Sequence, residues 1–241
     1  MWSGPGAQHA DIPDTESLRR RAVQEGMPAD RVQPVDHVLH DGSLDVIERR
    51  FDAVLSSHVI EHQPDLVRHP QEVERRLEAD ARYLVLVPDK RYCFDRDMPA
   101  SAIGEVLQAH VDQRRQHTLR SVVEHHASKT HNDAHKHWLE PRRTLADTLP
   151  VDVANVIAAT REHREAGGRY IDVHAWYFTP DSFRQILGLL HALDLTRLRV
   201  ERLYRTRQGS PEFWAVLARS PSDGGPWAGM SAQPEIAWGG P

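Results

Sequence analysis

The sequence predicts an α/β fold in which a parallel sheet carries helices on its faces and ends in an antiparallel strand pair. Residues 51–55 and 82–88 are short, nearly continuous apolar runs, typical of strands that are buried on both faces of a parallel sheet. A helix-like segment between them completes a strand–helix–strand unit. Two alternating segments, 198–204 and 212–218, flank a polar turn and indicate antiparallel strands.

Composition limits the class of protein. The chain has 241 residues, a mass of 27.5 kDa, a net charge of -5 and a pI near 6.3. This length suits one sizeable α/β domain, and the acidic balance argues against a nucleic-acid partner. The single cysteine, Cys93, excludes an intrachain disulfide framework. Because neither a membrane-length apolar run nor a signal-peptide pattern is present, we expect a soluble cytoplasmic protein.

The amino-terminal part predicts one helix and one irregular strand. Asp14 or Thr15 can cap a helix that ends before Gly26. Residues 31–38 then have a strand-like pattern with Pro34 near its start. Since proline cannot donate a hydrogen bond to a neighbouring strand, we expect an edge or irregular strand there.

The centre of the chain predicts the first candidate site. Asp65 can cap a helix over residues 66–77, where apolar side chains recur at roughly helical spacing. The two parallel strands around this helix would end at 57–58 and 88–89, on the same edge of the sheet. Because ligands bind beyond the carboxyl ends of such strands, the turn SSHVIEH is the leading candidate.

Helices dominate the next segment. Residues 97–168 are longer than an ordinary connection, so we interpret them as an inserted cap or lid that sets substrate selectivity. Helices are predicted at 103–111, 119–123 and 151–164, the last of them ending at the glycines that follow.

The carboxyl-terminal part predicts one strong helix and a disordered tail. Residues 170–178 form an aromatic strand or loop. Thr179 then caps a helix with Pro180 at its first position. The tail, 220–241, is rich in glycine, proline and serine, and we expect it to be disordered.

Three motifs in order carry a resemblance to a known family: FDAVLSSHVIEH, then EVERRLE, then RYLVLVPDKRYCFD. Together they resemble the second half of a class I S-adenosylmethionine-dependent methyltransferase, and more closely a bacterial subgroup with the patterns SHVIEHxPD and PDxRYxFD. The resemblance runs from about residue 11 to 219. It implies a Rossmann-like methyltransferase sheet in one domain, 1–219, and methyl transfer to a small-molecule or glycan-type acceptor.

The amino end departs from that family. Such domains open with a strand that ends in a glycine-rich turn, because glycine lets the backbone approach the cofactor closely. This sequence offers at best Gly4, Pro5 and Gly6, with no strand before them. Either the domain is incomplete at its amino end or the true start lies further upstream. The alternative function is therefore a degenerate, non-catalytic methyltransferase-like binding module.

The resemblance also implies which residues contact S-adenosylmethionine. Asp11 corresponds to the acidic residue that binds the ribose hydroxyls. The remaining cofactor contacts fall on two strand ends, at Asp36 and His37 near the adenine and at Ser57 and His58 along the pocket.

Catalysis and acceptor binding remain open among several residues. The donor sulfonium is already activated, so the protein mainly positions the reactants and supplies a base where the acceptor is a hydroxyl. The candidates for that base are His58, His62, Asp89 and His174. The predicted acceptor-side residues are Glu61, Lys90, Arg91, Tyr92 and His174, and the two cations among them suit an anionic acceptor.

Two histidine patterns resemble metal-binding motifs, but we predict no metal site at either of them. His58 to His62 formally matches the H-x-x-E-H of inverted zinc peptidases, but that motif must lie on a helix, which Pro64 disfavours. The second pattern is a cluster of five histidines, His125, His126, His131, His135 and His137. His131 and His135 have helical i, i+4 spacing, yet no cysteine or carboxylate completes a recognisable ligand pattern. We expect these loop histidines to be solvated, with a pH-sensitive lid as a lesser alternative. The sequence does not determine the oligomeric state.

Overall fold

The computed structural model describes residues 6–39, 41–141 and 152–220. The chain divides into two compact units between Arg49 and Arg50. The predicted tail lies outside the described residues from 221 onward, as do Gly4 and Pro5. The prediction of a single domain over 1–219 stays a prediction.

The first unit contains one helix and a minimal pair of strands. Helix α1 spans Thr15–Gln24, and the Asp14 side chain accepts a hydrogen bond from Ser17 N at 2.7 Å, which confirms the predicted cap. Strand β1 (Ala10–Asp11) pairs in parallel with strand β2 (His37–Val38).

The strand predicted at 31–38 was too long. A short 3₁₀ helix, Ala29–Arg31, takes its beginning, and only the last two residues are strand. Pro34 has no N–H to donate, and Val35 N donates to the Thr15 hydroxyl at 2.8 Å instead of to a strand. Asp36 therefore precedes the strand and does not follow it.

The second unit is a four-stranded sheet with helices. Its strands are β3 (Phe51–Ser57), β4 (Leu77–Pro88), β5 (Leu198–Tyr204) and β6 (Glu212–Arg219). The spatial order is β3-β4-β6-β5, in which β3 and β4 are parallel and both pairings of β6 are antiparallel. This is a mixed α/β architecture, as the sequence predicted.

Of the described helices of the second unit, all but the short one at 134–139 lie where a helix was predicted, and the first is shorter than the predicted 66–77. They are α2 (Arg68–Arg75), α3 (Ile103–Val111), α4 (Leu119–Ala127), α5 (Ala134–Leu139), α6 (Val153–Ala166) and α7 (Pro180–Ala192). The backbone at Gly167 is left-handed with φ 56°, which is the predicted glycine stop of α6. No helix in the described ranges is long and apolar enough to cross a membrane.

The prediction that β3 is buried on both faces was wrong. Leu55 is 56% exposed, and Asp52, Ala53 and Ser57 are exposed as well. Within the described residues β3 pairs with β4 alone, so it lies at the edge of this sheet. An apolar run predicts a strand, but only the neighbours of that strand decide how much of it is covered.

The core of the second unit lies between the sheet and helix α7. Strands β4 and β6 occupy the interior of the sheet, and α7 packs beside β5, with the Phe183 ring of α7 5.5 Å from the Phe213 ring of β6. The largest fully buried side chains of the second unit are mainly aromatic rings and leucines, among them Tyr83, Phe178, Phe183, Phe213, Leu187, Leu190, Leu198 and Leu217.

Removing the cap of α7 is expected to cost about 1 kcal/mol of the free energy of unfolding. The Thr179 hydroxyl accepts from Ser182 N at 3.2 Å, while the Ser182 hydroxyl accepts from Thr179 N at 2.9 Å. Thr179→Ala removes the first of these bonds. Denaturant titration measures the loss, and Thr179→Ser, which keeps the hydroxyl, should restore most of it. Equal losses in both variants would contradict the capping role.

Candidate functional site

The turn after β3 is fixed to two neighbouring strands. His58 N donates to Leu86 O of β4 at 3.1 Å, and the His58 side chain contacts Glu212 of β6, with 2.7 Å between Nε2 and Oε2. His58 has a positive φ of 54°, which is uncommon for a residue with a side chain. The chain thus turns sharply where β3 ends.

The following 3₁₀ helix, Ile60–His62, is held by the segment that precedes α7. Glu61 O accepts from Ala175 N at 2.7 Å and from Trp176 N at 3.1 Å, and Trp176 Nε1 donates to Gln63 O at 2.6 Å. Two segments more than a hundred residues apart are therefore bonded through their backbones. This pairing brings His174 next to Glu61.

Glu61 lies at the centre of three histidines. Its residue exposure is 0%, and its Oε1 lies 3.7 Å from His58 Nδ1, 3.8 Å from His62 Nε2 and 3.9 Å from His174 Nε2. Neither carboxyl oxygen has a hydrogen-bond partner within the described part of the chain. Burial raises the pKa of Glu61, although His174 and His62 oppose that shift.

Two of these histidines are oriented by further carboxylates. His174 Nδ1 lies 2.6 Å from Asp95 Oδ2, and both residues are buried. His62 Nδ1 lies 3.2 Å from Asp172 Oδ1. Burial lowers the pKa of His62, but the contacts with Asp172 and Glu61 outweigh burial, so the net shift is upward. We name Glu61, His62 and His174 the Glu61 cluster.

Two more histidines surround this cluster and are neutral at neutral pH. Burial lowers the pKa of His117 to about 4 and that of His125 to about 4. The Phe94 ring lies between His125 and His174, with ring centroids 5.5 Å and 4.8 Å away. His125, one of the five histidines that the sequence predicted to be solvated, is therefore partly buried instead.

The turn after β4 is organised around Asp89. This carboxylate is fully buried and accepts from Arg91 Nε at 2.9 Å, from Arg91 Nη2 at 2.6 Å and from the Thr206 hydroxyl at 2.5 Å. The paired carboxylate raises the pKa of Arg91. Lys90 Nζ donates to Arg96 O at 2.9 Å, and burial lowers the pKa of Lys90.

An aromatic pair extends the same turn. The rings of Tyr92 and Trp138 stack 3.9 Å apart at an interplanar angle of 3°, and the Arg91 guanidinium lies 5.1 Å from the centre of the Tyr92 ring. Trp138 Nε1 donates to Ser210 O at 3.1 Å. Trp138 holds the Tyr92 ring by stacking, and the cation–π contact with that ring positions one face of the Arg91 guanidinium.

The predicted cofactor residues of the first unit lie on and beside its strand pair. Asp11 is exposed, and its Oδ1 accepts from Ile12 N at 2.7 Å. The Asp36 carboxylate accepts from His9 N at 2.8 Å, and His37 Nε2 lies 3.0 Å from Gln8 Oε1. The other predicted cofactor residues, Ser57 and His58, belong to the second unit.

The structure brings together some predicted residues and adds others. His58, Glu61, His62 and His174 meet, whereas Lys90, Arg91 and Tyr92 form a separate group around Asp89. Sequence reasoning missed the orienting residues Asp95, Asp172, Glu212 and Trp138. Asp95 ends the PDKRYCFD motif and Asp172 stands two residues before His174, so carboxylates near candidate histidines were the available signal.

The histidine pattern at residues 131–137 also differs from the prediction. His131 precedes α5, so the i, i+4 pair with His135 does not form on a helix. Instead the rings of His131 and His137 stack 4.0 Å apart, and His137 is buried. His131 and His137 lie beside Glu140, which accepts from Arg96 Nη1 at 3.0 Å.

No protein-family model matches the sequence. Comparison with curated proteins gives no match either.

The fold is similar to several solved structures at low identity. The mitomycin 7-O-methyltransferase MmcR is 17% identical, with 90% of this chain and 43% of that chain covered and a TM-score of 0.36. The CcbJ methyltransferase from Streptomyces caelestis is 13% identical, with coverages of 86% and 71% and a TM-score of 0.39. A Rhodobacter sphaeroides protein described as a Zn-dependent alcohol dehydrogenase is 14% identical, with coverages of 89% and 84% and a TM-score of 0.40.

With TM-scores of 0.40 or less, these similarities do not identify a reaction. The chain spans less than half the length of MmcR, of which 43% is covered.

Proposed function

We propose that this chain is an S-adenosylmethionine-dependent methyltransferase that acts on a small-molecule or glycan-type acceptor. The observation that carries the proposal is the juxtaposition of its two motif-bearing turns. SSHVIEH begins in the last residues of β3 and PDKRYCFD in the last residue of β4, and the register pairs Ser57 with Leu86 beside both strand ends. Parallel strands that end together create the crevice in which open α/β sheets bind ligands.

The residues of this chain fit the cofactor in part. When bound, S-adenosylmethionine supplies an activated methyl group. Asp11 is exposed on β1, where a carboxylate suits ribose hydroxyls, and Asp36 and His37 are the proposed adenine contacts. At Gly6 an added Cβ would meet no atom within 4 Å, so no close backbone approach is built at that residue.

We assign the role of base to His58 first. Its side chain is 40% exposed, and Glu212 lies 2.7 Å from Nε2, which would stabilise the imidazolium that forms on proton uptake. His62 is the second candidate, at 20% side-chain exposure. The carboxylate of Asp89 is engaged by Arg91 and Thr206, so its proposed role is to position Arg91 for an anionic acceptor.

The first experiment is calorimetric titration of the purified chain with S-adenosylmethionine and with its demethylated product. We expect binding together with a higher melting temperature. A ligand that binds only the folded state stabilises it by about 2.7 kcal/mol at a hundred times its dissociation constant. An unrelated adenosine nucleotide serves as the control and should not shift the melting temperature.

The alternative is a non-catalytic methyltransferase-like binding module. It is favoured by the two turn cations, since Lys90 is bonded to Arg96 O and Arg91 is paired with Asp89. A protein that melts cooperatively but binds neither cofactor form up to millimolar concentration would overturn the enzyme proposal and support this module.

A further inference from the structure

The buried Glu61 carboxyl receives no hydrogen bond from the described residues. A buried carboxylate is stabilised by hydrogen-bond donors or by an opposite charge, and without either its burial costs several kcal/mol. Glu61 is 0% exposed, and its oxygens accept no hydrogen bond from the described residues. In the described ranges, its only ion-pair contacts are with histidines, at 3.7 to 3.9 Å.

His174 presents a hydrogen-bond acceptor, not a donor, to Glu61 when its ring is neutral. Because Nδ1 lies 2.6 Å from the carboxylate of Asp95, that nitrogen carries the proton in the neutral ring. Nε2 then directs a lone pair toward the Glu61 carboxylate, 3.9 Å away. Two acceptors facing each other in a buried space repel, unless a proton or a metal ion lies between them.

His62 has a similar arrangement, although its contact with the carboxylate of Asp172 is an ion-pair distance that does not meet hydrogen-bond geometry. Its Nδ1 lies 3.2 Å from Asp172, and its Nε2 lies 3.8 Å from Glu61 Oε1. The rings of His62 and His174 are nearly perpendicular, with centroids 4.5 Å apart. A carboxylate behind each imidazole is the usual support of a metal-binding histidine, because it fixes the ring and raises the basicity of the ligating nitrogen.

The three donor atoms are close enough to share one ion. Glu61 Oε1, His62 Nε2 and His174 Nε2 lie within 4.8 Å of one another. Donors on a tetrahedral zinc at about 2.0–2.1 Å are separated by about 3.3 Å. Contraction of the two distances from Glu61 Oε1, 3.8 and 3.9 Å, needs shifts of about half an ångström, and the two histidine nitrogens, which lie within 4.8 Å of each other, approach by at most about 1.5 Å.

We propose that the Glu61 cluster binds one Zn²⁺ ion through Glu61 Oε1, His62 Nε2 and His174 Nε2. Two imidazoles and one carboxylate are a zinc donor set, and three protein ligands leave one position for water or for His58. His58 Nδ1 lies 3.7 Å from Oε1, and its side chain is 40% exposed, so this position faces the solvent side of the cluster. The site does not depend on the proposed methyl transfer.

A second histidine and carboxylate group in the described part of the chain lacks these properties. His131, His137 and Glu140 have donor atoms within 4.8 Å of one another, but Arg96 Nη1 lies 3.0 Å from His137 Nδ1 and 3.0 Å from Glu140 Oε2. A guanidinium already occupies the place of a cation there, and it would repel a metal ion. This group therefore provides the matched control.

The test is zinc titration of the full chain after treatment with a chelator. We expect one equivalent of Zn²⁺ by calorimetry, a raised melting temperature, and visible absorption bands when Co²⁺ replaces zinc. Glu61→Gln should abolish this equivalent, whereas Glu140→Gln should leave it unchanged. Asp95→Asn keeps all three ligands and should weaken binding by about 10- to 100-fold, because it removes the support of His174.

Each outcome decides the proposal. Folded wild-type protein that binds no zinc, or zinc binding that survives Glu61→Gln, would overturn it. Where Glu61→Gln does not fold, Asp95→Asn decides instead: a weakened site supports the proposal, and an unchanged affinity overturns it. Since the readout is metal binding, failure here leaves the S-adenosylmethionine titration unaffected, and the reverse holds too.

Discussion

Phe183→Ala is expected to lower the free energy of unfolding by about 3–5 kcal/mol. Phe183 lies on α7 and is fully buried. Its ring centroid lies 5.4 Å from that of Phe178 and 5.5 Å from that of Phe213, both in edge-on geometry. Truncation removes the buried ring, leaves a cavity and breaks both aromatic contacts. Urea denaturation monitored by circular dichroism measures the loss.

The control for this prediction lies on the same helix. Leu189 is 37% exposed, so Leu189→Ala should cost about 1 kcal/mol or less. Comparable losses in the two variants would mean that helix formation, and not packing of the aromatic ring, dominates the contribution of α7.

His69 is expected to make the protein sensitive to acid. It is buried, with Nε2 3.0 Å from the Tyr83 hydroxyl, which itself lies 2.6 Å from the Ser56 hydroxyl. Burial lowers the pKa of His69 from 6.5 to about 4. Above pH 6.5 the ring is neutral in both the folded and unfolded states, and its contribution to stability is fully present.

The loss occurs as the pH falls from 6.5 toward 4. In that window His69 is protonated in the unfolded state but stays neutral in the folded state. The free energy of unfolding therefore falls by about 3 kcal/mol in total, at about 1.4 kcal/mol per pKa unit. His69→Gln removes this titration. The stability difference between wild type and variant should therefore shrink by about 3 kcal/mol between pH 7.5 and 4.

Denaturant titrations across this pH range measure the difference. The values at pH 7.5 give the cost of the substitution itself, because His69 does not titrate there. A difference that stays constant with pH would show that the buried ring is not the acid-sensitive group.

Much of the second unit follows from local sequence signals. Helix α7 begins where Thr179 and Pro180 predicted, and α6 ends at Gly167. The alternating patterns at 198–204 and 212–218 correspond to β5 and β6, which pair antiparallel. Caps, periodicity and glycine stops act over a few residues, so they can be recognised without the fold.

Burial and pairing were not recognisable in the same way. The apolar run at 51–55 formed a strand, but an exposed one, because its coverage depends on other elements. Only two residues of the predicted strand 31–38 are strand in the structure. Val35 N donates to the hydroxyl of Thr15, twenty positions earlier, and not to a neighbouring strand. Long-range partners decided both outcomes.

The candidate site also combines features that local sequence predicts with contacts between distant segments. The sequence alone identified the turns after β3 and β4 and most of the polar residues in them, since strand ends and motifs are local features. Only the tertiary structure shows that His174 lies beside Glu61 and that Asp89 pairs with Arg91. It also shows that Asp95 contacts His174 and that Asp172 contacts His62. The physical reason is that the charge state and accessibility of a carboxylate depend on the groups that surround it, and those groups come from segments that sequence order keeps far apart.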